Sequence, residues 1–298
     1  MRKDLDWLPS SRTCSCVQKA QNCLTEDEWL GYQVPVWRFD RRELRGDFER
    51  NSRMVHPAVF PRVIAHRIIE LYTHNGETVL DVFSGVGTSL VAAVEAGRNA
   101  VGIELNPKYT ALARRRLAYI GSTRTDRQKR FGCKRPAPRG HQFTADARNT
   151  ADLLPPNTID LAVTSPPYWD LLKQRQSERN RRSGKHLKHN YSNDRRDLSN
   201  QETLKGFLGE MNEIFYQTKR VLKSGGHLVI ITADYRKRGR YIPLHKEYIG
   251  MLESMGMRLN NIFIWDRSNE YDIGLYCYPE YFIAANGMIE YILEFQKQ

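Results

Sequence analysis

From residue 64 onward, short apolar runs alternate with stretches of helical periodicity, and this alternation leaves the chain few folds to choose from. "PRVIAHRIIELYT" (61–73) spaces its apolar residues for one helix face and stops before Asn75-Gly76. "ETVLDVF" (77–83) reads as a buried strand and "GTSLVAAVEAG" (87–97) as a helix closed by glycine. The pair repeats with "NAVGIEL" (99–105) and "PKYTALARRRLAYI" (107–120), whose proline suits a first helical turn. Further strands are expected at "FTADARN" (143–149), "TIDLAVTS" (158–165), "HLVIITA" (227–233), "LNNIFIWD" (259–266) and "IEYILEFQK" (289–297). Helices are expected at 203–222 and around 245–256. The pattern predicts an α/β, doubly wound, mostly parallel sheet with helices on both faces, in which ligands bind beyond the carboxyl ends of the strands.

Other segments do not follow this rhythm. Residues 1–50 are polar with scattered tryptophans and read as an N-terminal arm or small subdomain, leaving 51–298 as the main domain. Residues 121–142 are basic and contain Gly and Pro, so they read as a loop. Residues 173–196 hold nine Lys/Arg against two acids. The formal net charge of +12 favours a polyanionic partner, nucleic acid ahead of a membrane surface. No apolar run reaches the roughly 18 residues of a membrane span, and the first residues lack the apolar core of a signal peptide. Five cysteines, odd in number and unevenly spread, fit a reducing cytoplasm. Cys14, Cys16 and Cys23 have no matching pair later in the chain, so they are expected to be free thiols and no metal is expected.

The strand ends carry the chemistry. Phe83-Ser84-Gly85-Val86-Gly87-Thr88 form a tight loop ahead of a helix, where glycines admit a ligand to the backbone and the helix start offers free N–H groups. A dinucleotide loop would carry a third glycine at position 90, which is Leu. Asp81 and Glu104 close the first two strands, and an acid in the second position can accept both hydroxyls of a ribose. Asp146 follows the third strand, within reach of an adenine amino group. Together these residues describe a pocket for an adenosine-bearing cofactor. The fourth strand delivers "TSPPY" (164–168). Ser165 Oγ and the Pro166 carbonyl can accept the two N–H bonds of a flat, conjugated amine, Pro166-Pro167 holds them rigid, and Tyr168 can stack on a base lifted from a duplex.

"DVFSGVGTS", "GIELNPKY" and "TSPPY" resemble motifs I, II and IV of the S-adenosylmethionine-dependent DNA amino-methyltransferases. The resemblance runs over roughly 54–298 and includes "HPAVFP" (56–61). It implies a class I methyltransferase sheet of seven strands with basic loop insertions, a cofactor half at 54–150 and a catalytic half at 151–298. It places Asp81, Phe83, Gly85 and Gly87 around the cofactor's methionine part, Glu104 at its ribose and Asp146 at its adenine, and it counts Ser84, Thr88, Leu105, Asn106 and Ala147 among the cofactor-binding residues. His56 and Pro57 would line the pocket from below. Ser165, Pro166, Pro167 and Tyr168 would form the catalytic hook for direct transfer of the sulfonium methyl to the amine nitrogen. In that family serine ahead of "PPY" points to N4 of cytosine, and aspartate or asparagine more often to N6 of adenine. The cofactor half comes first here, unlike the commonest cytosine-N4 order, so the position of target recognition does not carry over.

DNA contacts are expected from two loops, 173–200 and 234–246. In the first, Arg179, Arg181, Arg182, Lys185 and Lys188 are placed to neutralise phosphates, and in the second Arg236, Lys237 and Arg238. Residues 267–280, with interleaved aromatics, are a further candidate for base readout. The expected partner is double-stranded DNA, in a restriction–modification setting with a cognate endonuclease or as a solitary enzyme. The rivals are adenine-N6 methylation and, from another class, a catalytically silent nucleic-acid-binding protein.

Overall fold

The structure, a computed structural model, describes residues 5–16, 22–39, 60–130, 137–169, 194–237, 240–268 and 289–298, without the side chains of 122–130 and 235–236. Ten strands are seen among these residues. They are β1 (Val36–Trp37), β2 (Thr78–Asp81), β3 (Asn99–Glu104), β4 (Gly140–Thr144), β5 (Ile159–Thr164), β6 (Leu222–Thr232), β7 (Tyr235–Lys237), β8 (Arg240–Ile242), β9 (Met257–Asp266) and β10 (Ile289–Lys297). The helices are α1 (Glu26–Tyr32), α2 (Arg62–Tyr72), α3 (Thr88–Glu95), α4 (Pro107–Arg130), α5 (Thr150–Leu153), α6 (Leu204–Val221) and α7 (Leu244–Ser254).

Eight strands form one sheet in the order β1-β9-β10-β6-β5-β2-β3-β4, and β7 and β8 make a separate antiparallel hairpin. Pairings among β2 to β6 are parallel, while β10 runs antiparallel to both β6 and β9. The expected α/β, doubly wound sheet is therefore present, and β1 adds an eighth strand at its edge, parallel to β9. Alternate residues of the central strands face opposite ways. Val79, Leu161, Val163, Val229 and Ile231 meet the buried faces of α2 and α3. Leu80, Ala162, Leu228 and Ile230 meet α6 and α7. Strands buried on both faces read as near-continuous apolar runs, which is why they stand out in the sequence.

Two sequence readings change. Helix α4 does not stop at residue 120 but continues to Arg130, through part of the segment read as a loop. Its extension, "GSTRTDRQKR", holds no Pro, and its Arg, Gln and Lys are good helix formers that need no apolar face. The described part of the N-terminal segment also packs on the main core. Leu5 and Leu8 lie in the cluster under α6, and Trp37 is fully buried beside Phe263 and Phe39.

Candidate active site

Sheet order reverses between β2 and β5, the two strands that open the halves of the sheet, and a cleft of about 910 Å3, counting its open mouth, lies at their carboxyl ends. The β2–α3 loop forms its floor. Gly87 holds φ of +80° as the N-cap of α3, and a Cβ there would come within 2.9 Å of the Ala113 Cβ. Gly85 also has positive φ, so the turn brings bare backbone to the cleft.

Phe83, Ser84, Gly85 and Thr88 line the cleft from this loop. Glu104, Leu105 and Asn106 line it from the end of β3, and Asp146 and Ala147 from beyond β4. Ser165 and Pro167 reach it from the end of β5. Glu104 accepts from Gly85 N (2.9 Å) through one carboxylate oxygen and from Asn106 N (2.7 Å) through the other. This fixes the carboxylate while leaving each oxygen acceptor capacity for a bound hydroxyl. Burial pushes its pKa up to about 7 against the lowering effect of those N–H groups. Asp146 is clamped by Arg148, which donates Nε to one oxygen (3.0 Å) and Nη2 to the other (2.6 Å).

Four expected residues stand behind the cleft wall instead of in it. Asp81 is buried and accepts from Thr164 Oγ1 (2.7 Å), Phe83 N (3.0 Å) and Ser89 Oγ, tying the ends of β2 and β5 to the start of α3. Burial raises its pKa to about 6. Gly87 shapes the loop, and Pro166 and Tyr168 back the hook. Ser84 lines the cleft, yet its hydroxyl faces inward, 2.9 Å from Gln142 Oε1 and 3.1 Å from the Ile103 carbonyl. His56 and Pro57 lie outside the described residues, as do Arg179, Arg181, Arg182, Lys185, Lys188 and Arg238, and the side chain of Arg236 is likewise outside them.

A polar chain runs through the hook. Tyr168 OH donates to Glu290 Oε2 (3.0 Å), and Ser165 Oγ lies 3.3 Å from Tyr168 OH. Arg267 pairs with the other oxygen of Glu290. A phenol has one proton, and here Glu290 takes it, so the contact with Ser165 is made by the serine's proton donating to the phenol oxygen. Both lone pairs of Ser165 Oγ are then left to accept from a ligand. Burial and the Glu290 charge raise the Tyr168 pKa well above the usual phenol value, which keeps that proton in place.

Trp169 ends the hook in the left-handed region (φ 48°), held by its Nε1–H donating to the Gln201 carbonyl (2.9 Å). Lys237, expected at DNA, sets its Nζ 3.6 Å from the centre of the Trp169 ring, linking the β7–β8 hairpin to the hook. Asp234 fastens the same hairpin, accepting from Tyr241 OH (2.6 Å) and pairing with His245 Nδ1 (2.6 Å), whose ring stacks on Tyr291.

Sequence reading missed Phe60, Tyr109, Arg196, Asp197, Leu198 and Ile214 in the cleft wall. Phe60 falls within "HPAVFP", so its motif was visible. Tyr109 likewise closes "GIELNPKY", and the others arrive from a helix flank and from a loop end that only the tertiary fold brings close. Glu290 carried a weak signal, an acid within an apolar strand.

A glycine loop, a cleft-facing carboxylate and a serine–proline hook at the switch point of a mostly parallel sheet define a methyltransferase-like α/β protein. The model of the DNA methylase family N6_N4_Mtase matches residues 17–115 and 159–298, and the chain belongs to that family. Among curated relatives, the type II methyltransferase M.BglI of Bacillus subtilis is 36% identical over 98 residues, 33% of this chain and 26% of its own length. DNA adenine methyltransferase YhdJ of Escherichia coli K12 is 37% identical over 83 residues, 28% of this chain and 26% of its own. The chain thus spans about a quarter of the length of these relatives. A solved structure described as a DNA modification methylase of Thermus thermophilus, complexed with S-adenosyl-L-methionine, is 29% identical. It covers 51% of this chain and 53% of its own, with a TM-score of 0.35.

Proposed function

We propose that the protein transfers a methyl group from S-adenosylmethionine to the exocyclic N4 of cytosine in double-stranded DNA, in a restriction–modification setting or as a solitary enzyme. When bound, S-adenosylmethionine would supply a sulfonium methyl carbon, from which a nitrogen lone pair displaces S-adenosylhomocysteine, the methylated amine then losing one proton to solvent or to the hook. The cleft fits such a molecule: bare glycine backbone, a carboxylate with spare acceptor capacity and apolar walls from Phe60, Leu105 and Ile214. Glu104 would take the ribose hydroxyls, Asp146 the adenine amine, and the Phe83–Gly85 backbone the methionine end.

The observation that carries the reading is the chain from Glu290 through Tyr168 to Ser165. The Glu290–Tyr168 bond leaves the serine oxygen an acceptor on its ligand side. A conjugated amine is a poor nucleophile because its lone pair is delocalised. An acceptor at an N–H bond, Ser165 Oγ in the cleft wall, would return density to nitrogen and fix its orientation, a contribution of up to about 7–11 kcal/mol in the best-oriented reactions. Serine ahead of "PPY" supports cytosine as the base. The basic segment 173–196 and Lys237 support a duplex beside the hook.

Purified protein should be incubated with radiolabelled S-adenosylmethionine and duplex DNA, and the labelled nucleosides then separated. N4-methylcytosine is the expected product. N6-methyladenine would overturn the base assignment, and cofactor binding without transfer to any duplex would replace the enzyme by a binding module.

A further inference from the structure

At the other end of β2 from the cleft, three cysteines and one histidine converge. Cys14, Cys16 and Cys23 come from the N-terminal segment, and His74 comes from the turn between α2 and β2. Their ligand atoms all lie within 4.8 Å of one another. Cys16 Sγ is 3.3 Å from Cys23 Sγ, and His74 Nδ1 is 3.5 Å from Cys14 Sγ and 3.8 Å from Cys23 Sγ. Tetrahedral zinc with bonds of about 2.3 Å to sulfur and 2.0 Å to nitrogen places its ligands about 3.5–3.8 Å apart. The two histidine contacts fall in that range and the Cys16–Cys23 contact lies just below it, whereas a disulfide would hold its sulfurs at about 2.05 Å.

We propose that Cys14, Cys16, Cys23 and His74 bind one zinc ion as a closed, structural site. The surroundings are built for it. Arg98, buried at the start of β3, donates Nη2 to the carbonyl of Asn22, next to Cys23, at 3.2 Å. The same nitrogen donates to the carbonyl of Thr73, next to His74, at 2.6 Å. One guanidinium therefore orients both ligand-bearing loops and offsets the net negative charge of three thiolates around a divalent ion. The His74 backbone N–H donates to Glu77 (2.7 Å), and Glu77 pairs with Arg12 (2.7 Å), two residues before Cys14. Thr13 N donates to the Asn75 carbonyl (2.8 Å). Four protein ligands leave no open position for a substrate, and β2 separates the cluster from the cleft, so the ion would staple the N-terminal segment to the sheet without entering the chemistry. Cysteine spacing alone does not reveal this set, because the fourth ligand is a histidine 51 residues beyond Cys23.

The test is metal content of the full chain, purified under reducing conditions from zinc-supplied cells. About one zinc per chain is expected, and replacement by Co2+ should give the intense visible absorption of a tetrahedral cobalt thiolate. Cys14→Ser and Cys23→Ser should lose most of the metal, while Cys133→Ser and Cys277→Ser, outside the four, should keep it. If the cluster variants fail to fold, the wild-type stoichiometry and cobalt spectrum decide alone. Metal-free protein that takes up neither ion, cluster variants that fold and retain full zinc, or a Cys16–Cys23 disulfide in the reduced preparation would each overturn the site.

Discussion

At the scale of single residues, the sharpest expectations concern Ser165 and Glu104. Ser165→Ala removes the acceptor and keeps the hook's shape. We expect kcat to fall by about a hundredfold, within the range for losing one aligned hydrogen-bond partner, with S-adenosylmethionine affinity unchanged in calorimetry. On the proposed reading Glu104, whose pKa burial raises to about 7, accepts ribose hydroxyls as the carboxylate. The dissociation constant for S-adenosylmethionine should therefore rise as pH falls below about 7, approaching tenfold per pH unit, and Glu104→Gln should flatten that dependence. Stability of the ligand-free protein should move the other way. An unfolded glutamate loses its proton near pH ~4.3, so between that pH and about 7 the folded chain holds the extra proton. Glu104's contribution to stability is full below that window and is lost as pH rises through it. Thermal melts should show the wild type losing more stability across this interval than Glu104→Gln. Sequence alone puts Asp81 in the pocket because acids after β2 and β3 look alike there. They differ in partners: Asp81 ends on the hydroxyls of Thr164 and Ser89 and the backbone N–H of Phe83, and Glu104 ends on two backbone N–H groups facing the cleft.

At the scale of elements, strand β1 rests on one anchor, since Val36 is exposed and Trp37 is fully buried between Phe39 and Phe263. Trp37→Ala should cost about 3–5 kcal/mol in chemical denaturation, with the cofactor affinity of the remaining folded protein unchanged. The strands of the central sheet were legible because they are apolar on both faces, and α2, α3 and α6 because their apolar residues repeat at helical spacing. Strand β1 was not legible, since two residues show no period and its pairing with β9 spans most of the chain. The polar end of α4 was missed because it has helical propensity without amphipathicity, so composition alone read it as loop. Likewise the cleft's second wall, Arg196 to Leu198, owes its place to topology, and its sequence signal, the end of a basic loop, pointed to DNA instead.

At the scale of the whole molecule, the charge of +12 and the basic segments after β5 and β6 make salt the natural probe of the proposed duplex contact. If six or more phosphates are engaged, apparent DNA affinity should fall by roughly 10³-fold between about 50 and 200 mM salt, measured by fluorescence anisotropy. Cofactor affinity over the same range should stay nearly constant. No helix among the described residues is long and apolar enough to cross a membrane. The bond between Tyr168 and Glu290 joins residues 122 positions apart, and Glu290 sits on β10, which inserts between β6 and β9. During synthesis the glycine loop, Glu104 and the hook all leave the ribosome before that strand is translated. A domain folds as a unit, so the cleft and the polar chain behind the hook are completed together, when β10 enters the sheet. On the proposed mechanism, methyl transfer therefore waits for that strand, and a chain still without it leaves every base unmodified.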